Sequence, residues 1–119
     1  MTDKDIQYVD VAALRQMLNE KERDPMRVIV LDARPLADYN AGHIPTARSL
    51  RPADFHAPAG VDPAIGQHSS IVVYGTNPGS GVAKGVTKEL LKMRMKRARM
   101  FDGGIEAWTR AGYPLESSQ

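Results

Sequence analysis

Two uninterrupted apolar segments constrain the fold of this chain more than any other feature of its sequence. The first lies within residues 27–33 and the second within residues 70–74. A strand with one solvated face alternates apolar and polar residues, whereas a strand covered on both faces reads as a continuous apolar run. The pattern therefore predicts a parallel α/β sheet in which residues 27–33 form a central strand and residues 70–74 a second buried strand.

Helical patterns alternate with these strands along the chain. Asp10 is typical of a residue that caps a helix, and an apolar stripe follows it. Further helices are predicted over residues 36–41, after residue 81 and around Trp108, with weaker strands at residues 6–9, 47–50 and 99–101. The stripe of the helix after residue 81 consists of Val82, Val86, Leu90 and Met93. Residues 52–66, rich in Pro and Gly, give no readable pattern.

Composition narrows the class of protein. The chain has 119 residues, of which 42% are hydrophobic, so residues 1–119 are expected to form one domain. There is no cysteine, which excludes a thiol nucleophile, a disulfide framework and a Cys-ligated zinc. A net charge of +2 does not indicate a nucleic-acid or membrane partner. Without an apolar run of spanning length or a signal peptide, a cytoplasmic location is expected.

Three segments together resemble a known family. They are Leu31-Asp32-Ala33-Arg34-Pro35 with Tyr39 and Gly42-His43-Ile44-Pro45-Thr46-Ala47; Ile71-Val72-Val73-Tyr74; and Asp102-Gly103-Gly104 with Trp108 and Gly112-Tyr113-Pro114. In this combination the chain resembles the rhodanese-homology domain over about residues 6–116. The resemblance implies a three-layer fold, with a five-stranded, mostly parallel sheet covered by helices on both faces. It also implies an active-site loop at the carboxyl end of the central strand.

The resemblance also locates the family's nucleophile. Sulfurtransferases of this family carry a persulfide-forming cysteine directly after the aromatic residue of that strand, where this chain has Gly75. A Ser or Thr hydroxyl cannot carry the sulfur in its place. The loop is longer than a sulfurtransferase loop and nearer to those of rhodanese-like phosphatases, but it lacks their cysteine and arginine. We therefore expect an inactive homologue that acts as a binding or regulatory module for an unidentified protein partner.

The glycine loop after the second strand leaves alternatives open. It could hold a phosphate- or sulfate-like anion on backbone N–H groups, as a binding site or in an enzyme of unknown class. The candidate residues are Gly75, Thr76, Asn77, Gly79, Ser80 and Gly81. Alternatively, the loop only turns the chain and Ser80 caps the next helix. A dinucleotide site with Asp102 as the ribose ligand is disfavoured by the glycine spacing. No cofactor and no metal are predicted.

Polar residues elsewhere favour structural roles. Asp32, Arg34 and His43 match family positions that support the loops around the site, although His43, Asp32 and Ser80 are the residue types of a hydrolytic triad. Two departures from the family pattern are Thr46 and Arg94, which replace common glycines. The one charge cluster is Lys92, Arg94, Lys96, Arg97 and Arg99. It is typical of a solvated helix end, or alternatively docks an acidic partner. Met93 and Met100, which lie within and beside this cluster, are predicted to be core residues.

Overall fold

The computed structural model describes residues 1–118, which form five strands and four helices. The strands are β1 (Tyr8–Val9), β2 (Ile29–Asp32), β3 (Arg48–Ser49), β4 (Ile71–Tyr74) and β5 (Ala98–Phe101). The helices are α1 (Val11–Lys21), α2 (Leu36–Ala41), α3 (Gly81–Lys92) and α4 (Gly104–Arg110). Short 3₁₀ segments cover Asp3–Asp5, Pro52–His56 and Pro63–Gln67.

The strands form one parallel sheet in the order β1-β5-β4-β2-β3. Every residue of β2 and of β4 is buried, because helices cover both faces of the sheet. This confirms the predicted five-stranded α/β fold with its two apolar strands at the centre. Residues 52–66, for which the sequence predicted no element, include one 3₁₀ segment and most of another, each with Pro in its first turn.

Alternating side chains of the central strands fill two separate cores. Ile29, Leu31, Ile71 and Val73 pack with α3 on one face. Val28, Val30, Val72 and Tyr74 pack with α1 and with Trp108 of α4 on the other face. This period-two division is the reason that both strands are apolar throughout. None of the helices within residues 1–118 is long and apolar enough to cross a membrane.

The prediction that Met93 belongs to the core is wrong, whereas Met100 is fully buried as predicted. Met93 is 45% exposed because α3 ends at Lys92 and the chain reverses there. The reversal is a Schellman motif, in which the N–H of Arg94 donates to Leu91 and the N–H of Met95 to Leu90. Met95 packs against the core instead. Val82, at the other end of the stripe, is 49% exposed, since it lies in the first turn of α3.

A tight turn connects residues 44 and 47 through a residue in the left-handed region. The N–H of Ala47 donates to the carbonyl of Ile44 at 2.9 Å, and Thr46 has φ of +69°. A branched side chain is disfavoured in this conformation, which glycine adopts freely.

We therefore expect Thr46→Gly to raise the free energy of unfolding by about 1 kcal/mol, because relief of the left-handed strain exceeds the added entropy of the unfolded chain. Urea unfolding followed by circular dichroism measures the change. Thr109→Gly, within the regular helix α4, is the matched control and should lower stability. Equal losses in both variants would contradict the assignment of strain to Thr46.

Candidate functional site

The loop of residues 75–81 joins the carboxyl end of β4 to α3. Gly75 is buried, whereas Thr76, Asn77, Gly79 and Gly81 are exposed. The Ser80 hydroxyl accepts a hydrogen bond from the N–H of Ala83 at 3.2 Å and so caps α3. The cap that the sequence predicted as one alternative for this loop is therefore present.

Ser80 also occupies the space beside Gly75 that a larger residue would need. A Cβ placed on Gly75 would lie 2.6 Å from Cβ of Ser80, nearer still to its hydroxyl oxygen, and 3.3 Å from Cβ of Ala83. These separations are well inside van der Waals contact. Gly75 and Ser80 therefore form a matched pair, in which the absence of one side chain makes room for the other.

Three further contacts hold the loop against the segment that follows β5. The N–H of Gly79 donates to the Asp102 carboxylate at 3.1 Å. The carbonyls of Gly75 and Thr76 accept the N–H groups of Ile105 and Glu106, each at 3.0 Å. The loop thus satisfies donors at the start of α4, whose amides have no partner within their own helix.

Gly104 permits this close approach. It has φ of +67°, and a Cβ there would lie 2.8 Å from the carbonyl oxygen of Gly75. Sequence reasoning did not predict that Asp102 and Gly104 anchor the loop. The signal was the pair of adjacent glycines directly after β5, because such a pair marks a close passage of two backbones.

The anchoring also changes the electrostatics of the loop. Asp102 uses the N–H of Gly79 and places a carboxylate beside it, while residues 75–81 contain no Lys or Arg. A bound anion would be repelled by this carboxylate and could not use the N–H of Gly79 as a donor. Anion binding at the six candidate residues stays a prediction.

Asp102 is poorly placed to bind a ribose, since its Oδ1 already accepts the N–H of Gly79. This agrees with the glycine spacing in disfavouring a dinucleotide site.

A buried ion pair lies beside the loop, at the end of β2. Asp32 is 0% exposed and accepts hydrogen bonds from Nε and Nη2 of Arg34, the latter at 2.8 Å. The Tyr74 hydroxyl donates to Asp32 at 2.6 Å and accepts the N–H of Ile44 at 3.1 Å. Arg34 also donates to the carbonyls of Asp38 and Gly42. One carboxylate thus joins β2, β4 and the segment after α2.

The pKa values of this network follow from its burial and its charges. Burial disfavours the charged form of Arg34, but the hydrogen bonds and charge of Asp32 outweigh that effect and raise its pKa above the usual value. Burial, together with the Asp32 carboxylate, raises the pKa of Tyr74 well above the usual range. Tyr74 therefore remains a neutral donor to Asp32 at any physiological pH.

His43 is bonded away from the loop. Its Nδ1 lies 2.8 Å from the Tyr39 carbonyl, and its ring stacks on the Tyr39 ring with centroids 4.1 Å apart. Its backbone forms a bridge with Glu116. Within residues 1–118, the side chains of His43, Asp32 and Ser80 make no hydrogen bond to one another. The residue types of a hydrolytic triad are present, but their geometry is not.

Comparison with known proteins identifies a family and several structures to which this chain is similar. The Rhodanese-like domain model matches residues 10–111. A protein from Lactobacillus plantarum is 26% identical with a TM-score of 0.71, and the match covers 92% of this chain and 87% of that one. A rhodanese-related protein from Thermoplasma volcanium is 16% identical with a TM-score of 0.67, over 92% of this chain and 97% of that one.

A third similar structure is a protein of unknown function from Rhodopseudomonas palustris, described as a possible tyrosine phosphatase. It is 21% identical with a TM-score of 0.75, and the match covers 96% of this chain and 87% of that one. At this identity the likeness shows the fold alone.

A double-mutant cycle tests the packing of Gly75 against Ser80. Gly75→Ala should lower the free energy of unfolding by about 1–3 kcal/mol, because the added methyl overpacks the site. In the Ser80→Gly background the same change should lower the free energy of unfolding by less than about 1 kcal/mol. Ser80→Gly alone should lower it by only a few tenths of a kcal/mol, since glycine is tolerated as a cap. Urea unfolding of the four proteins measures the coupling. Additive effects would show that Ser80 does not fill this space.

Tyr74→Phe tests the buried carboxylate network. It should lower the free energy of unfolding at pH 7 by about 2 kcal/mol, because Asp32 loses a donor and the N–H of Ile44 loses its acceptor. Tyr113→Phe is the control, since its hydroxyl makes no hydrogen bond within residues 1–118.

The difference in free energy of unfolding between the parent and Tyr74→Phe should depend on pH in one direction. The raised pKa of folded Tyr74 gives stability that is complete below the unfolded-state pKa of about 10 and is lost as pH rises beyond it. Urea unfolding between pH 8 and about pH 11 should therefore show the gap between the parent and Tyr74→Phe narrowing above about pH 10. A constant gap would contradict the role of the neutral hydroxyl.

Proposed function

Because this chain belongs to the rhodanese-like domain family, we propose that it is a catalytically inactive member that acts as a binding or regulatory module. The observation that carries this proposal is the pairing of Gly75 with Ser80. The position that follows the β4 aromatic residue has no side chain, and the Ser80 side chain occupies the adjacent space. Neither a cysteine persulfide nor a phosphocysteine intermediate can form in a chain without cysteine.

The remaining polar groups near the loop supply no substitute for the missing thiol. The Ser80 hydroxyl accepts the N–H of Ala83 and has no histidine partner among residues 1–118, so no histidine in that range acts as its general base. Asp32 is held by Arg34 and Tyr74 in a buried ion pair. Ser80 and Asp32 thus each have a hydrogen-bond partner within the fold, which supports a structural role for both.

An anion-binding role for the loop is the alternative, and the similarity to a possible tyrosine phosphatase from Rhodopseudomonas palustris favours keeping it. The exposed amides of Thr76 and Asn77 are available in such a role, and the carboxylate of Asp102 acts against it. Amide chemical shifts during a sulfate titration, with chloride at matched ionic strength, separate the two roles. Saturable shifts confined to residues 76–82 would support the anion site.

The proposal predicts that the purified protein transfers no sulfur from thiosulfate or mercaptopyruvate and hydrolyses no aryl phosphate above buffer. Gly75→Cys alone should remain far below a cysteine-containing family member, because Ser80 clashes with the new side chain and the loop is longer. Initial rates under identical conditions measure both. Turnover by the parent that Ser80→Ala abolishes would show a real active site and overturn the proposal.

A further inference from the structure

The largest concentration of unneutralised charge lies at the end of the molecule opposite the glycine loop. We define the basic surface as Lys92, Arg94, Lys96, Arg97 and Arg99, which follow one another from the end of α3 to the start of β5. Since β5 runs parallel to β4, this surface lies at the amino end of the sheet and residues 75–81 lie at its carboxyl end.

Most cations of this surface have no carboxylate partner within residues 1–118. Eight of the sixteen Lys and Arg side chains pair with carboxylates, and Lys92 is the only one of them in the basic surface within residues 1–118. Arg97 donates to the carbonyl of His68 at 3.5 Å, and Arg99 donates to the hydroxyl of Ser70 at 3.1 Å. Arg94, Lys96 and Arg97 are exposed. These three exposed cations, within four consecutive residues, have no carboxylate partner in the described part of the chain and can meet an external anion.

A cavity lies among these cations. It has a volume of about 350 Å³, and its lining is Gly66, Ile71, Arg94, Met95, Lys96 and Arg97. Ile71 belongs to the hydrophobic core and the half-buried Met95 packs against it, so the two give the cavity an apolar floor beneath a cationic margin. An occupant that matches both parts carries an apolar side chain flanked by carboxylates.

The backbone of Arg94 is a second, independent observation. Its φ of +65° places it in the left-handed region, at the position of the Schellman motif that glycine usually fills. Strained conformations of this kind concentrate at functional sites. An arginine held there costs stability and adds a cation to the margin of the cavity.

We propose that the basic surface, with the cavity at its centre, binds an acidic peptide segment of a partner protein that also bears an aliphatic or aromatic side chain. The inference rests on the proposed role as a binding module and assigns that role a surface and a class of partner. The cavity lining has no aromatic side chain on which a base could stack, so a nucleic acid fits it less well. It is also concave, unlike a surface that lies on a membrane.

The test uses a fluorescein-labelled peptide in which pairs of Glu flank single Leu residues, followed by fluorescence anisotropy. A peptide with Gln in place of Glu is the neutral control. We expect binding of the acidic peptide that weakens as sodium chloride rises, since exposed charges are screened. The triple variant Arg94→Gln, Lys96→Gln and Arg97→Gln should weaken binding about tenfold. Arg94→Gly alone should weaken binding yet raise the midpoint of thermal unfolding.

A matched variant controls for total charge. Lys4→Gln, Arg15→Gln and Arg110→Gln remove the same three charges away from the basic surface, and binding should stay within about twofold of the parent. The proposal is overturned if this variant loses as much affinity as the first, if the neutral peptide binds equally, or if the acidic peptide does not bind. Tighter binding of a labelled oligouridine would overturn the class of partner. Any of these results leaves the absence of catalysis standing, which only turnover assays can overturn.

Discussion

The hydrogen-bonded ion pair of the buried Asp32 carboxylate is the interaction on which the carboxyl end of the sheet depends. A carboxylate with no exposure is costly unless its charge is paired and its oxygens are hydrogen-bonded. Here Arg34 supplies the charge and Tyr74 supplies a hydroxyl, so the pair joins β2 to β4. Because Arg34 and Tyr74 also bond the backbone of residues 42–44, the same carboxylate fixes the segment that follows α2. Removing one partner would leave a charge or a donor unsatisfied inside the protein.

The glycine loop is held in place by hydrogen bonds and packing contacts with the rest of the fold. Its carbonyls accept the first amides of α4, its Gly79 amide is bonded to Asp102, and Ser80 fills the space beside Gly75. An active site of this architecture needs an exposed nucleophile with unused donors around it. This loop contains no cysteine, and its Gly79 N–H already donates to Asp102. Three exposed cations without a carboxylate partner among residues 1–118, Arg94, Lys96 and Arg97, lie instead at the opposite end of the sheet. The surface proposed for binding is therefore separate from the glycine loop.

Two positions show how this chain departs from the glycines typical of such turns. Thr46 and Arg94 both have positive φ, and each costs roughly 1–2 kcal/mol relative to an unstrained residue. Thr46 donates its N–H to Glu116, which fastens the chain near its carboxyl end. Arg94 contributes a cation to a cavity with an apolar floor. Strain at the second position is thus accompanied by a chemical feature that a glycine could not provide.

The sequence by itself determined the parallel sheet, the helix caps at Asp10 and Ser80, and the absence of a thiol at position 75. These follow from local properties: continuous apolar runs, side chains that accept backbone N–H groups, and residue identity. The exposure of Met93, the anchoring role of Asp102 and the exclusion of a larger residue at position 75 were decided only by the tertiary structure. The exposure of Met93 depends on where α3 ends, the Asp102 contact joins residues remote in sequence, and the space beside Gly75 depends on how its own loop turns. Side-chain periodicity predicts none of these three.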